Sequence, residues 1–328
     1  MNIRNVRRVA ATVALASAVS FGCGAVSAQV WDMPTPYPES NFHTQNIIAF
    51  AKEVADATGG KLNIKVHSAG SLFKHAQIKN AVRGGQVPIG EFLLARLANE
   101  NPVFQADAIP FLANSYPAAE KLWKASRAKV EALLARQHLK VLFSVPWPPQ
   151  GVYTKNAIND SNGLKGLKFR TYNATTETFA KLAGAVPTQV EVPDIAQAFA
   201  TGRVEAMITS ASTGVNTKAW DFLNYFYDTQ AFLPKNIVVV NQKAFDQLDG
   251  ATQQALLKAA KTAEARGWKA SAAEHAKQSA ALAAHGVHVE QPSAAFAAAL
   301  KKIGATMTAE WVSKAGADGK AILGAYNR

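Results

Sequence analysis

The sequence predicts an α/β protein built as two lobes, and three observations predict it. Apolar periodicity alternates between 3.6 and 2 along the chain, and glycines mark the switches. About 300 residues follow an N-terminal leader, enough for two medium domains. A proline-rich break, Pro146, Trp147, Pro148 and Pro149, interrupts the middle, where no regular element can continue.

The leader carries Arg4, Arg7 and Arg8, an apolar run from Val9 to Phe21, and small residues from Gly22 to Ala28. That layout is a secretory signal peptide, with Val26 and Ala28 at the cleavage site and the mature chain starting near Gln29. The apolar run is shorter than the ~20 residues that span a bilayer, which argues against an anchor. Ser20, Phe21 and Gly22 are a poor context for lipidation of Cys23. Cys23 is the only cysteine, so the mature chain has no disulfide, thiolate metal site or cysteine nucleophile.

Helix periodicity runs from Thr44 to Thr58 and stops at Gly59 and Gly60. The alternation of Leu62, Ile64 and Val66 then reads as a strand. A helix from Ala76 to Arg83, a strand from Val87 to Phe92, a helix from Ala118 to His138 and a strand from Lys140 to Val145 continue a βαβ-like progression. Beyond the proline break come a strand from Leu167 to Tyr172, a helix from Ala174 to Leu182 and a strand from Pro187 to Val190. A short helix begins at Pro193, and the strand Val204, Ala206, Ile208 follows it. Ile237 to Asn241 reads as a strand returning to the first lobe. Ala251 to Ala284, proline-free with Gly267 as its one glycine, reads as one long helix, and Ala294 to Ala325 as further helices. The expected division is 1–28 for the leader, 29–147 for lobe 1 with a return at about 237–255, and 148–236 for lobe 2. The scaffold helix takes 251–285, and helices packed on the lobes take 286–328.

The formal charge is +12, and 18% of residues are charged. The positive balance favours anionic partners, but lysines are spread along helices with no dense or aromatic-interleaved basic tract, which argues against nucleic acid. The histidines, His43, His67, His75, His138, His275, His285 and His288, show no metal-ligand spacing. No glycine-flanked nucleophilic serine, phosphate-cradling loop or dinucleotide fingerprint is present, so the reading is a binding protein without cofactor or metal rather than an enzyme.

Three blocks resemble the DctP-type substrate-binding proteins of tripartite ATP-independent periplasmic (TRAP) transporters. FAKEVADATGGKLNIKVHSAGSL, Phe50 to Leu72, is similar to the family's helix, double glycine and strand, with Phe73 where glycine is frequent. DAIPFL, Asp107 to Leu112, resembles its proline-phenylalanine turn. The block from Gly163 to Val215 is similar to its arginine strand, Gly-Ala-x-Pro turn and short helix before a valine-acidic-glycine strand, with Ala206 in place of the usual glycine and Glu205 retaining the acidic character. The resemblance implies the two-lobed periplasmic binding protein fold with a long connecting helix. It also implies capture of a small organic carboxylate and delivery to the integral membrane subunits of a TRAP permease. A monomer is expected. A ligand-sensing periplasmic subunit for a membrane receptor shares the same cleft and is the alternative, followed by a periplasmic enzyme acting on a carboxylate.

A carboxylate in a closing cleft needs a cation, and arginine's planar fork meets both carboxylate oxygens. Arg170 fits that role at the end of a strand where open α/β sheets place their ligand crevice; a solvated strand arginine in a surface ion pair is the other reading. Thr209, Ser210 and Ser212 leave the next strand with hydroxyl groups, and the resemblance implies ligand contact there. Asn236 offers an amide beside Lys235. Tyr37, Glu39 and Ser40 follow the first strand of lobe 1, and Glu91 and Phe92 end another. Trp147 and Phe232 complete an expected aromatic wall with Phe92 and Tyr37. The family often carries a second arginine near the lobe crossing; here WPPQGVY supplies tryptophan and glutamine. A keto, hydroxy or aromatic monocarboxylate is therefore expected over a dicarboxylate or sugar acid.

Overall fold

The computed structural model of the protein describes residues 28–328. The leader reading, with Cys23, lies outside the described residues except for Ala28. In chain order the first part contributes β1 (Gln29–Pro34), α1 (Phe42–Ala57), β2 (Leu62–His67), α2 (His75–Arg83), β3 (Ile89–Leu93), α3 (Tyr116–Ala135) and β4 (Leu139–Pro146). The second contributes β5 (Gln150–Thr154), β6 (Lys168–Thr171), α4 (Ala174–Leu182), β7 (Val186–Gln189), α5 (Ile195–Ala200), β8 (Ala206–Ser210), α6 (Ala211–Asn216) and β9 (Tyr225–Tyr227). The chain then returns through β10 (Lys235–Asn241) and α7 (Gln242–Asp246), and ends with α8 (Gly250–Ala284), β11 (His288–Glu290) and α9 (Ala294–Tyr326).

The helix boundaries follow from local chemistry. Asn41 caps α1 by accepting the His43 N–H at 2.9 Å, which starts the helix ahead of the apolar stripe. Gly59 and Gly60, at φ 58° and 78°, take the left-handed turn that sends the chain back into β2. Ser115 caps α3, and the chain leaves that helix at His138 with φ 59°.

Lobe 1 holds a parallel pair, β1 with β2, and a sheet in the order β3-β10-β4. The central strand β10 is antiparallel to both neighbours, Val238 facing Glu91 on one side and Phe143 on the other. The sequence places β3 and β4 as successive members of a βαβ-like progression; the structure instead inserts the returning β10 between them. Its run Ile237 to Val240 is buried throughout, and the middle of a sheet covered on both faces is where a continuous apolar strand belongs. Lobe 2 is a mixed sheet in the order β11-β9-β5-β8-β6-β7. The edge strand β11 and its neighbours β9 and β5 escape the periodicity reading because each has only three to five residues.

Two segments cross between the lobes, 147–149 from β4 to β5 and 228–234 from β9 to β10. They run side by side, joined by Trp147 N–H to Pro234 O at 2.7 Å, Gln150 N–H to Phe232 O at 3.0 Å and Ala231 N–H to Gln150 O at 2.9 Å. Paired crossings of this kind restrict relative motion of the lobes to bending about one line. The helix α8, 35 residues and so about 50 Å long, packs on α1 and β4 of lobe 1 and on α6 of lobe 2. The C-terminal region, read as several helices, forms one span broken at Gly316, with φ 57° and ψ −127°. Alanine-rich sequence carries helix on either side of a residue that alone tolerates the break.

Gly267 sets how closely α8 approaches lobe 1. A Cβ there would stand 2.3 Å from Val145 Cγ2 and 2.8 Å from Asn46 Nδ2, and that amide is itself held by the Ala263 carbonyl at 2.9 Å. Gly→Ala in an open helix interior stabilises by about 1 kcal/mol. Gly267→Ala is expected to do the reverse, costing about 1–3 kcal/mol through overpacking; a urea melt with an unchanged or higher midpoint would show that the helix has room to shift.

Candidate ligand-binding site

Arg170 sits on β6 between β7 and β8, paired with Thr188 and Met207. Strand alternation sends Phe169 into the core and Arg170 to the opposite face. The side chain is only 2% exposed. Its Nε donates to Val190 O at 2.9 Å, and the guanidinium lies over the Tyr172 ring, 4.5 Å from the centroid. Among the described residues no carboxylate lies within ion-pairing distance of it. Burial lowers its pKa to about 10, against the opposing pull of Tyr172, Glu191 and Tyr37, so it remains a cation at neutral pH. A desolvated cation without a counter-ion costs several kcal/mol.

That cation lines a small cavity of about 30 Å³ between the lobes. Lobe 2 supplies Arg170, Tyr172, Glu191, Val192, Thr209 and Thr213; lobe 1 supplies Tyr37, His75 and Leu93; the crossings supply Trp147, Gln150 and Pro234. Of the residues singled out from sequence, Arg170, Thr209, Trp147 and Tyr37 meet at this cavity. Two others stand one layer behind. Trp147 Nε1 and Tyr37 OH both donate to Asn236 Oδ1, at 2.9 and 3.1 Å, while Asn236 Nδ2 donates to Glu91 Oε1 at 2.9 Å and Thr35 Oγ1 to Glu91 Oε2 at 2.6 Å. Asn236 and Glu91 therefore orient the aromatic wall instead of lining the cavity.

The remaining candidates lie elsewhere, each for a local reason. Ser210 caps α6 by accepting the Thr213 N–H at 3.2 Å. Ser212 points to α8, donating to Glu274 Oε2 at 3.1 Å. Phe92 and Phe232 pack in the core, and Leu93 is the β3 residue at the cavity. Glu39 and Ser40 are exposed on the turn before α1.

Sequence reading missed Tyr172, Gln150, Thr213, Glu191 and His75. Tyr172 was accessible, since it lies two residues from Arg170 and period 2 puts both on one face. Glu191 follows the C-terminal end of β7, the same strand-end position that pointed to Arg170. Nothing local marks His75.

Glu191 is already matched. Arg96 Nη1 lies 3.0 Å from its Oε1, and His75 Nδ1 lies 3.5 Å from Oε2. Burial raises the Glu191 carboxyl, but the His75 hydrogen bond and the charges of Arg96 and Arg170 prevail and hold it at about 2. Burial lowers His75 to about 4, so it is neutral near pH 7. Its Nε2 accepts the Leu93 N–H at 3.0 Å, which puts the imidazole proton on Nδ1, toward Glu191. Arg170 is thus the cavity's unmatched charge. A larger groove of about 830 Å³ between α3, β4 and α8 is a weaker candidate, because charges there are paired within the protein, as in Arg127–Glu264 at 3.0 Å. Among the described residues no group of three His, Cys, Asp or Glu side chains is placed to hold a metal.

Residues 35–314 match the family model of the bacterial extracellular solute-binding proteins, family 7, DctP. The chain belongs to this family. Its members are periplasmic solute-binding proteins of TRAP transporters, and the two-lobed α/β fold with its long helix is theirs. Among solved structures, the Bordetella pertussis extracytoplasmic solute receptor DctP7, which binds pyroglutamic acid, is 45% identical and superposes with a TM-score of 0.91 over 92% of this chain and 100% of that one. A TRAP solute-binding protein from a marine metagenome, an unidentified microbe, specific for pyroglutamate, is 44% identical with a TM-score of 0.90, over 92% and 99% of the two chains. A monocarboxylate 2-oxoacid-binding periplasmic protein from a Nostoc species is 28% identical over 172 residues, 49% of this chain and 46% of that protein. The first curated relatives are matched over 53% and 65% of their length. Among the described residues no helix is long and apolar enough to cross a membrane.

Burial pushes the Glu91 carboxyl up to about 7, against hydrogen bonds from Thr35 and Asn236 that lower it. With the folded value above the ordinary 4.5, the stability from this group is complete below the ordinary value and is lost as pH rises through about 7. Glu91→Gln, locked neutral, is expected to gain on the wild type by about 2–3 kcal/mol between about pH 5 and pH 8. Urea melts at the two pH values test this, and a difference between the proteins that does not change with pH would show that Glu91 is ionised in the fold.

Proposed function

We propose that this protein captures pyroglutamate, or a closely similar small cyclic monocarboxylate, in the periplasm and delivers it to the membrane subunits of a TRAP permease. It acts as a monomeric receptor without catalysis. The single observation that carries the reading is the buried, unmatched guanidinium of Arg170 in the cavity between the lobes. Pyroglutamate supplies the one carboxylate that this cation lacks, through paired charge-assisted hydrogen bonds. Its five-membered ring suits a wall of Trp147, Tyr37, Leu93 and Pro234. Its lactam N–H and carbonyl suit neutral partners such as the hydroxyls of Thr209 and Thr213. Two solved proteins that are 45% and 44% identical to this chain bind pyroglutamate.

The charge arrangement weighs against dicarboxylates. A second carboxylate would enter a cavity whose other full charge, Glu191, is negative, and the cation beside Glu191 is already engaged. Open-chain glutamate meets the same obstacle and adds an ammonium group. A 2-oxo monocarboxylate satisfies the same constraints and is the second reading, favoured by the Nostoc relative.

A thermal-shift and calorimetric screen of purified protein separates these. Pyroglutamate at about 100 times its Kd is expected to stabilise the protein by about 2.7 kcal/mol, with glutamate and succinate giving no shift and pyruvate a smaller one. Arg170→Ala is expected to weaken binding by at least about 100-fold, corresponding to loss of a buried charge pair. Absence of a pyroglutamate shift in the wild type, or full retention of binding by Arg170→Ala, would overturn the reading.

A further inference from the structure

The ligand cavity has an outer neighbour. A chamber of about 290 Å³, lined in part by Gly70, Lys74 and Asp194, shares Tyr37, His75, Glu191 and Val192 with it. Glu191 and His75 thus stand where the two spaces meet, and Glu191 is partly exposed there, at the mouth of the cleft. They also come from opposite lobes. His75 opens α2 and Arg96 lies in the turn after β3, both in lobe 1, whereas Glu191 follows β7 in lobe 2.

Arg96 makes two contacts across this mouth with one nitrogen, its Nη1 lying 3.0 Å from Glu191 Oε1 and donating to the Tyr172 carbonyl at 2.8 Å. Its side chain is 11% exposed and that of Glu191 is 29% exposed, so the pair is much less screened than an ordinary surface ion pair. Other cross-lobe bonds are neutral, as in Asn41 to Asn216 at 2.9 Å and Thr175 to Gln105 at 3.2 Å. Separation of the lobes must break the Arg96 contacts together and return both charges to water. Contacts present only in the closed form shift the population toward it, whatever the ligand.

We infer that Arg96, Glu191 and His75 form a latch across the mouth of the cleft, which holds the lobes shut over the bound anion and sets how fast it leaves. Arg96 and Glu191 are positioning residues here: they act by keeping the cavity closed. The inference rests on the reading of the Arg170 cavity as the carboxylate site, and it adds the element that controls residence time.

The sign of one substitution separates this latch from simple electrostatics. Glu191 is an anion near Arg170, and if it acted on the ligand only through its field, Glu191→Gln would make the cavity more positive, tighten carboxylate binding and slow release. A latch gives the opposite result. Stopped-flow dissociation of pyroglutamate, followed by intrinsic tryptophan fluorescence, is expected to be about tenfold faster in Glu191→Gln than in wild type. Arg96→Gln should show a similar increase, and the double variant should be no faster than either single one, since the two act as a unit. Arg96→Lys, which keeps the charge but has a shorter side chain to reach both Glu191 and the Tyr172 carbonyl, is expected to fall between. Melting of the ligand-free variants checks that each is folded, and either Glu191→Gln or Arg96→Lys alone suffices if the other is not. Release that is unchanged or slower in Glu191→Gln, or that is wild-type in Arg96→Lys, overturns the latch. If wild-type protein gives no pyroglutamate signal, the ligand assignment fails. The same rates are then measured with the organic acid giving the largest melting shift, and the latch is judged by the same outcomes because its contacts join the two lobes to each other.

Discussion

A guanidinium removed from water without a counter-ion is the constraint around which this molecule is arranged. Arg170 is held from behind by the Val190 carbonyl and from the side by the Tyr172 ring. These contacts fix its direction but do not neutralise it. On the proposed reading, free energy spent on burying the charge is recovered when an anion arrives, and the cavity is organised for its ligand before the ligand binds. The same logic explains the layer behind the aromatic wall. Trp147 and Tyr37 converge on one amide oxygen of Asn236, and Asn236 is held in turn by Glu91. Fixed rings lose little freedom on binding, so less of the interaction energy goes to ordering the site.

The crossings and α8 turn that local arrangement into a moving part. Residues 147–149 and 228–234 belong both to the hinge and to the cavity wall, since Trp147 ends one strand system and Pro234 begins the other. Bending at the crossings therefore changes the cavity directly. The long helix limits the bending, because it packs on α1 and β4 of one lobe and on α6 of the other. Its close passage at Gly267 makes the lobe 1 contact the tighter anchor.

Much of this was legible in the sequence where signals are local. Glycine stops, strand alternation and the proline break located most of the elements, and α4 begins and ends at Ala174 and Leu182 as read. Arg170, Thr209, Trp147 and Tyr37, read from strand ends and the crossing, stand around the cavity. What was not legible depends on partners distant in sequence. The position of β10 between β3 and β4 is set by pairings across roughly 90 to 150 residues. Ser212 is drawn away by Glu274, 62 residues later. Glu91 and Phe92 are adjacent on one strand, so one faces the network behind the wall and the other the core, and the pleat decides which residue of the strand reaches the cavity. Nothing local marked the pairing of Glu191, because its two partners, Arg96 and His75, come from the other lobe.

Counting charges in the closed cavity leads to the last step. Within the cleft, Arg96 and Glu191 cancel, His75 is neutral, Gln150 stands at the crossing with its amide engaged by Pro148 O and Tyr172 OH, and Arg170 alone is left over. A site with one surplus positive charge reaches neutrality with one carboxylate and no more. A second anion would need a second free cation, and the crossing that could have supplied one carries tryptophan and glutamine instead. On the proposed reading, selectivity for monocarboxylates requires no steric filter against longer acids, because each extra charge must be buried without a partner. The same count shows why the latch and the ligand site are compatible: the ion pair that closes the mouth uses Glu191 and Arg96 completely, leaving the field of Arg170 for the guest.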